Sequence, residues 1–526
     1  MDSSSSTGLA GFDFTFFGSP VPLANGGFLF AADADDGDFS TPAISGVWLA
    51  DGVDDPSPDP ISAFTFPFES GFAPGISGLP GVELSGLFLA DSTANGDALF
   101  VGTEGAGSEL LFARLGGMLT PIARPGDSVA DRPGLVFVDR FFGGMLGPSG
   151  LVYFTAIVGT QQSPGPADRS GLFASDGQTL RTVALEGEAA AGLPGGVYSA
   201  LSIPRSDPSR GVVLVTEVLA TGNSLFAVFA DDGNSMSLVQ ALDQPPFDTL
   251  VQSDRLRGFD AENSWVAFAT GPRNRNETDA VHRVSPSGVA ETLVDRSSDV
   301  PGSNGSFRAF ALPRVDRNGG VVFSADQTGS PGSAIYRFAD GGLVPIAVEG
   351  DAAPDGASYQ PLFTDSFGMG SYTASADGDV VFSDLDFGDP TGLYAWTPGA
   401  GVLLVARDGT AIDADADPLV EQPRTIAMLS NTLTDVPMYM PTIGADRRLG
   451  FRLSFDRPFS ILGYAADLPP LPCLADSNGD GTLTPADFNA WVIAFNAGDP
   501  AADQNQDGSI NPDDFNAWVI NYNAGC

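Results

Sequence analysis

Short apolar segments separated by Gly, Pro and Asp recur along most of this chain, and their aromatic positions are regularly spaced. A Gly followed four residues later by Phe, with apolar residues between, occurs as Gly26 to Phe30, Gly96 to Phe100, Gly150 to Phe154, Gly319 to Phe323 and Gly378 to Phe382. Looser copies run from Arg210 to Leu214, Ser264 to Phe268 and Arg447 to Phe451. Successive starts lie 54 to 70 residues apart, so one unit of similar length is reused. Most units continue into a second strand signal, as in Gly171-Leu172-Phe173, Ala334-Ile335-Tyr336 and Gly392-Leu393-Tyr394. A third pattern follows: Leu119-x-x-Ile122-Ala123 with Gly126-Asp127 behind it, repeated from Leu180 and Leu343 and nearly so from Val402. Irregular aromatic stretches after it, Phe307 to Phe310 and Tyr359 to Phe363, predict a fourth strand.

Aromatic and β-branched residues bounded by turn formers favour strands. Four short strands per unit predict a mostly β fold, a seven- or eight-bladed β-propeller-like repeat domain over residues 1–466. A β-sandwich array or an open solenoid are the alternatives. The apolar run Leu9 to Phe17 is expected to supply a strand to the last unit, the one containing Phe451, and so to close the ring.

The pattern changes after the Pro-rich linker of residues 467–472. Phe488, Trp491, Val492 and Phe495 recur at i, i+3, i+4 and i+7, as do Phe515, Trp518, Val519 and Tyr522, which predicts two helices with one apolar stripe each. Pro485 and Pro512 suit a first helical turn, Thr484 and Asn511 suit the caps before them, and Gly498 and Gly525 suit the stops. Each helix follows an oxygen-rich loop. Asp476, Asn478, Asp480, Thr482, Thr484 and Asp487 occupy positions 1, 3, 5, 7, 9 and 12 of the first loop; Asp503, Asn505, Asp507, Ser509, Asn511 and Asp514 repeat them 27 residues later. Gly481 and Gly508 stand at position 6. A hard cation takes about six to eight oxygens, with the backbone carbonyl contributing at position 7 and glycine giving the sharp turn, so two Ca²⁺ ions are the expected cofactors. The chain's two cysteines, Cys473 and Cys526, bracket this segment. Joined, they would stabilise so small a module by roughly 4 kcal/mol; two free thiols are the alternative.

The duplicated Asp-x-Asn-x-Asp-Gly loop with a single following helix, and the terminal Asn-Ala-Gly-Cys, resemble a dockerin of the Gly-Cys-ending kind, over residues 473–526. The resemblance implies a small α-helical calcium-binding domain that attaches a secreted protein to a cohesin-like or other cell-surface partner. Where well-studied dockerins carry a Ser-Thr pair at loop positions 10 and 11, this chain has Pro485-Ala486 and Pro512-Asp513. The β repeats also resemble, loosely, secreted bacterial tandem-repeat proteins.

Charge fits that setting. Against 66 acidic residues stand 24 basic ones, a net charge of −42. Such a surface repels nucleic acid and anionic membranes. No apolar stretch approaches the roughly 18 residues of a membrane span. The first residues lack the basic and apolar regions of a signal peptide, so a mature or trimmed chain of a secreted or cell-surface protein is expected.

Catalytic chemistry finds little support. His282, the single histidine, falls in the aromatic slot aligned with Tyr336 and Tyr394 and reads as a packing residue. A His-rich zinc site is thereby excluded, and so is a phosphate loop, since the chain has no Lys. Glu186, Glu188, Glu262 and Glu349 are the carboxylates that a glycosidase-like pair would draw upon, though no spacing selects two of them. The reading is a secreted, non-catalytic repeat protein, whose repeat domain binds a polysaccharide or protein and whose C-terminal module anchors or sorts it. The alternative is a carbohydrate-active enzyme, hydrolase or lyase, carrying the same attachment module.

Overall fold

The computed structural model describes residues 84–407 nearly throughout, the strands between 13 and 65 and between 411 and 467, and residues 475–478, 482–502, 504 and 510–524. It is mostly β. Seven sheets in chain order, at residues 13–65, 84–123, 136–185, 196–242, 254–295, 307–348 and 372–407, each contain an antiparallel path of four strands. A three-stranded sheet at 442–467 follows them.

The repeated aromatics explain the register. In each of these eight sheets the unit residue, Phe in seven and Leu in the fourth, lies on the second strand and pairs with a large residue of the third: Phe30 with Trp48, Phe100 with Phe112, Phe154 with Phe173, Leu214 with Phe229, Phe268 with His282, Phe323 with Tyr336, Phe382 with Tyr394 and Phe451 with Tyr464. Cross-strand pairs of this kind are the unit of sheet stabilisation. His282 does occupy an aromatic slot. In the first seven sheets the pairing of strands three and four of the path shifts register immediately before this same third-strand residue, as between Leu172 and Phe173 or Leu393 and Tyr394. The bulge bends the outer strand around the ring. Gly171 and Gly392, two residues before the aromatic, give the ring room: a Cβ there would come within 2.5 Å of Phe173 and of the Tyr394 hydroxyl.

Sheets pack face to face through apolar cores. Leu99 and Leu111 of the second sheet meet Phe137, Phe154 and Phe173 of the third; Val228 of the fourth meets Phe268 of the fifth; Ile335 of the sixth meets Phe382 and Tyr394 of the seventh. Each such ring, once buried, contributes about 1.5–3 kcal/mol. The first strands run beside one another in chain order, those of the first, fourth and sixth sheets through a short second segment that pairs with the same neighbour: Leu84–Ser92 against Val136–Leu146, then Arg205–Asp207, Asp254–Glu262, Arg314–Val315, Tyr372–Ala374 and Thr442–Ile443, which returns to Val21–Pro22 of the first sheet.

Three expectations from the sequence are corrected. Phe307–Phe310 is not the last strand of its unit but the first strand of the next sheet, paired with Val321–Gln327. Tyr359 to Leu362 form no strand; Tyr359 instead packs on Phe382 and Tyr394, and the first strand of the seventh sheet is Tyr372–Ala374. Within the run Leu9 to Phe17, Asp13–Phe17 pairs with Phe28–Asp35 of its own sheet rather than with the sheet of Phe451. It lies beside the last strand, Ile461–Asp467, without pairing to it. A hairpin with its own neighbour closes a shorter loop than a return across the whole domain.

Candidate functional site

The C-terminal segment contains two helices, Pro485–Ala497 and Pro512–Ala524, each opening on proline. Thr484 caps the first: its hydroxyl accepts from the Ala486 amide at 3.2 Å, and its own amide donates to Asp487 at 2.7 Å, a capping box. Gly498 ends that helix in the left-handed region. The second unit repeats the arrangement, with the Asn511 amide donating to Asp514 at 2.8 Å. Phe488 and Phe515 lie 6.1 Å apart, and Trp491 and Trp518 lie 6.2 Å apart. Each indole also reaches toward the other unit: Trp491 Nε1 donates to the Ala502 carbonyl at 3.1 Å, and Trp518 Nε1 to Ser477 Oγ at 3.3 Å.

Asp487 and Asp514, loop position 12 in each unit, are both fully buried. Each carboxylate accepts a second amide from the start of its loop, Asn478 at 3.3 Å and Gln504 at 2.8 Å. The Thr484 amide in particular holds Asp487 below the usual carboxylate range, and the Asp476 side chain lies beside it, so positions 1 and 12 of the first loop come together. Of the other sequence-predicted ligands, Thr482, Thr484 and Asn511 are described, whereas Asp480, Asp503, Asn505, Asp507 and Ser509 lie outside the described residues, as do Cys473 and Cys526.

Between Cys473 and Cys526 there is no Lys, Arg or His. A buried carboxylate needs a compensating positive charge or a full set of donors, and no side chain of the module can supply the charge. The donor set is hard oxygen throughout, which fits calcium and not a soft metal.

In the repeat domain three of the four candidate glutamates are engaged by other side chains. Glu186 and Glu349 do the same work in two sheets, accepting from the Ser170 and Ser333 hydroxyls at 2.9 and 2.7 Å. Glu188 is bidentate with Arg132 at 2.9 and 3.0 Å. Glu262 differs: it precedes the turn Asn263-Ser264, whose φ angles are 48° and 70°. Partial burial and then the charges of Asp207 and Asp260 push its carboxyl up to about 7.

The turns between first and second strands are stitched together around that residue. Ser209 Oγ donates to Asn263 Oδ1 at 2.7 Å, Asn263 Nδ2 to the Arg317 carbonyl at 3.0 Å, and the Arg317 amide to Ala376 at 2.9 Å. A second line of stitches runs along the first strands, at the position opposite the residue before each unit aromatic. Asp91, Arg205, Asp260 and Arg314 hold this position in four sheets, where Met145 and Thr373 hold it in two others. Asp91 accepts the Leu146 amide at 2.7 Å, Asp260 accepts the Val315 amide at 3.0 Å, and Arg205 Nε donates to the Phe259 carbonyl at 3.1 Å. Each bond crosses to the following sheet. The signal in the sequence is positional, since these residues precede the unit aromatic by eight or nine places.

A family profile described as a family of unknown function (DUF7453) matches residues 80–451. No curated protein matches the chain. Among solved structures, puromycin hydrolase is similar at 15% identity with a TM-score of 0.39, over 84% of this chain and 58% of that one. A prolyl endopeptidase is similar at 13% and 0.40, over 74% and 50%, and the Aleuria aurantia lectin bound to α-methyl-L-fucoside at 13% and 0.25, over 65% and 96%. The chain thus spans about half the length of the hydrolase and peptidase chains. These scores describe a loose likeness, and no activity is carried across from it. No helix among the described residues is long and apolar enough to cross a membrane.

Proposed function

The chain belongs to a family of unknown function, DUF7453, and we propose that it is a secreted, non-catalytic repeat protein held at its site of action by a calcium-dependent C-terminal module. The observation that carries this reading is the pair Asp487 and Asp514: two fully buried carboxylates, 27 residues apart, in a segment with no basic residue. Calcium supplies the missing positive charge. Asp476, Asn478, Asp480, Thr484 and Asp487 would hold one ion, with the Thr482 carbonyl; Asp503, Asn505, Asp507, Asn511 and Asp514 the other, with that of Ser509. Because a loop crowded with carboxylates repels itself without the ion, metal binding and folding of the module are one process.

The module is dockerin-like in this reading, and its partner is a cohesin-like or other cell-surface protein. Cys473 and Cys526 close the module covalently, which mass mapping of the oxidised protein tests. The repeat domain is an eight-bladed β-propeller-like ring, supported by the order in which the first strands neighbour one another and return to Val21–Pro22. Its role is to present a binding surface to a polysaccharide or protein.

Isothermal titration of the full chain with calcium tests the core of this reading. Two ions per chain are expected, with the joint substitution Asp487→Ala and Asp514→Ala abolishing both. A chain that takes up no calcium overturns it.

A further inference from the structure

Two arginines of the repeat domain converge on one strand. Arg205, on the first strand of the fourth sheet, is fixed by its Nε to the Phe259 carbonyl at 3.1 Å. Arg314, on the first strand of the sixth sheet, brings Nη1 to 3.8 Å from Asp260 Oδ1, beyond hydrogen-bond reach. Phe259 and Asp260 are neighbours on the intervening strand, Asp254–Glu262. The two guanidinium groups therefore approach the same stretch of backbone from opposite sides.

This placement works against the charge of Arg205. Burial lowers the proton affinity of Arg205, and the charge of Arg314 lowers it further. Asp260 and Asp91 relieve part of this, but each is tied to an amide of the next sheet, Val315 at 3.0 Å and Leu146 at 2.7 Å. Among the described residues, neither terminal nitrogen of Arg205 has an acceptor, and Arg314 has only the long contact to Asp260. Strand pairing does not require a charge here, because Thr373 fills the equivalent position in the seventh sheet. A guanidinium stays charged at any ordinary pH and presents a planar fork suited to two oxygens at once. Arg314 is about one-third exposed, so its side of the pair is open to solvent.

We propose that Arg205 and Arg314 form an oxyanion site in the repeat domain, which takes the carboxylate or phosphate group of a small ligand or chain end between the two guanidinium groups. The site is independent of the C-terminal module and stands whether or not calcium binds there. Bidentate geometry, rather than charge alone, would set its preference for planar oxyanions.

The test is isothermal titration of the full chain at low ionic strength with two separate probes, galacturonate for a sugar carboxylate and inorganic phosphate for a phosphoryl group. One site per chain is expected for at least one probe, and the responding probe names the source of the oxyanion. Arg314→Met and Arg205→Met should each weaken binding at least tenfold, and the double variant should lose less than the product of the two. Arg314→Lys keeps the charge and the fold but loses the fork, and should still weaken binding several-fold. Thr373→Val, at the equivalent position, should leave it unchanged. The proposal is overturned if neither probe binds the unaltered chain, or if binding persists undiminished in variants whose melting temperature shows them to be folded.

Discussion

Phe268 and His282 face each other across the second and third strands of the fifth sheet, with ring centroids 4.9 Å apart, in the slot that other units fill with Phe, Tyr or Trp. Phe247 closes over the imidazole at 5.4 Å. Thr270 and Thr292 bond its two nitrogens at 2.9 and 3.0 Å, so the ring is both packed and satisfied in its neutral form.

That arrangement has a pH signature. Burial lowers the His282 pKa from 6.5 to about 3. Between those values the unfolded chain holds a proton that the folded chain refuses, so this site's stability is full above pH 6.5 and falls by about 1.4 kcal/mol per pH unit below it. His282→Phe removes the dependence but leaves two threonine hydroxyls unpaired, at a cost of about 1–2 kcal/mol at neutral pH. Denaturant melts should show the variant less stable at pH 7.5 and the gap closing or reversing by pH 4.5. A gap constant with pH would mean that the imidazole is not buried neutral.

Glu262 carries the opposite sign. With its folded pKa raised to about 7 from 4.5, the folded chain holds the extra proton, and stability falls as pH rises across that window and levels off above it. Glu262→Gln should gain stability relative to the unaltered chain at pH 8, by up to about 3 kcal/mol, and show no gain at pH 4. Coincident stability curves for the two proteins would remove Glu262 from its acidic surroundings.

Asp231 is a fully buried carboxylate that joins the third and fourth sheets. It accepts from Tyr153 Oη at 2.7 Å, from Arg181 Nη1 and Nη2 at 3.1 and 2.7 Å, and from the Gly233 amide at 3.0 Å. Asp231→Ala leaves a buried hydroxyl and a half-buried guanidinium without their partner, and should cost about 3 kcal/mol. Tyr153→Phe removes one bond of the four and should cost about 1 kcal/mol. Chemical denaturation separates the two; equal losses would show that the arginine contributes nothing.

The regular part of this architecture was legible because a strand's side-chain period is two. His282 aligns in the sequence with Tyr336 and Tyr394, and it pairs with Phe268 as Tyr336 pairs with Phe323. Phase was not legible. The alternation in Phe307–Phe310 shows that the segment is extended, but not whether it pairs backward or forward, and Asp13–Phe17 presented the same ambiguity. The bulge before each third-strand aromatic leaves no trace in the pattern, because one extra residue in a fourth strand resembles ordinary variation in length. Buried carboxylates such as Asp231 read as turn residues, since sequence alone does not reveal that an arginine from a neighbouring sheet arrives beside them. In the C-terminal module the ligand spacing was plain, whereas the burial of Asp487 and Asp514 and the crossing of Trp491 and Trp518 to the opposite loops depend on how the helices pack.

Calcium-coupled folding of the C-terminal module is tested most directly by amide hydrogen exchange on the full chain, with calcium and with chelator, following the helices Pro485–Ala497 and Pro512–Ala524. Calcium should slow exchange in both helices by at least a hundredfold relative to chelator, with the strands of residues 136–348 unchanged in the same samples. Equal protection of both helices in the two conditions would contradict a module folded by its metal.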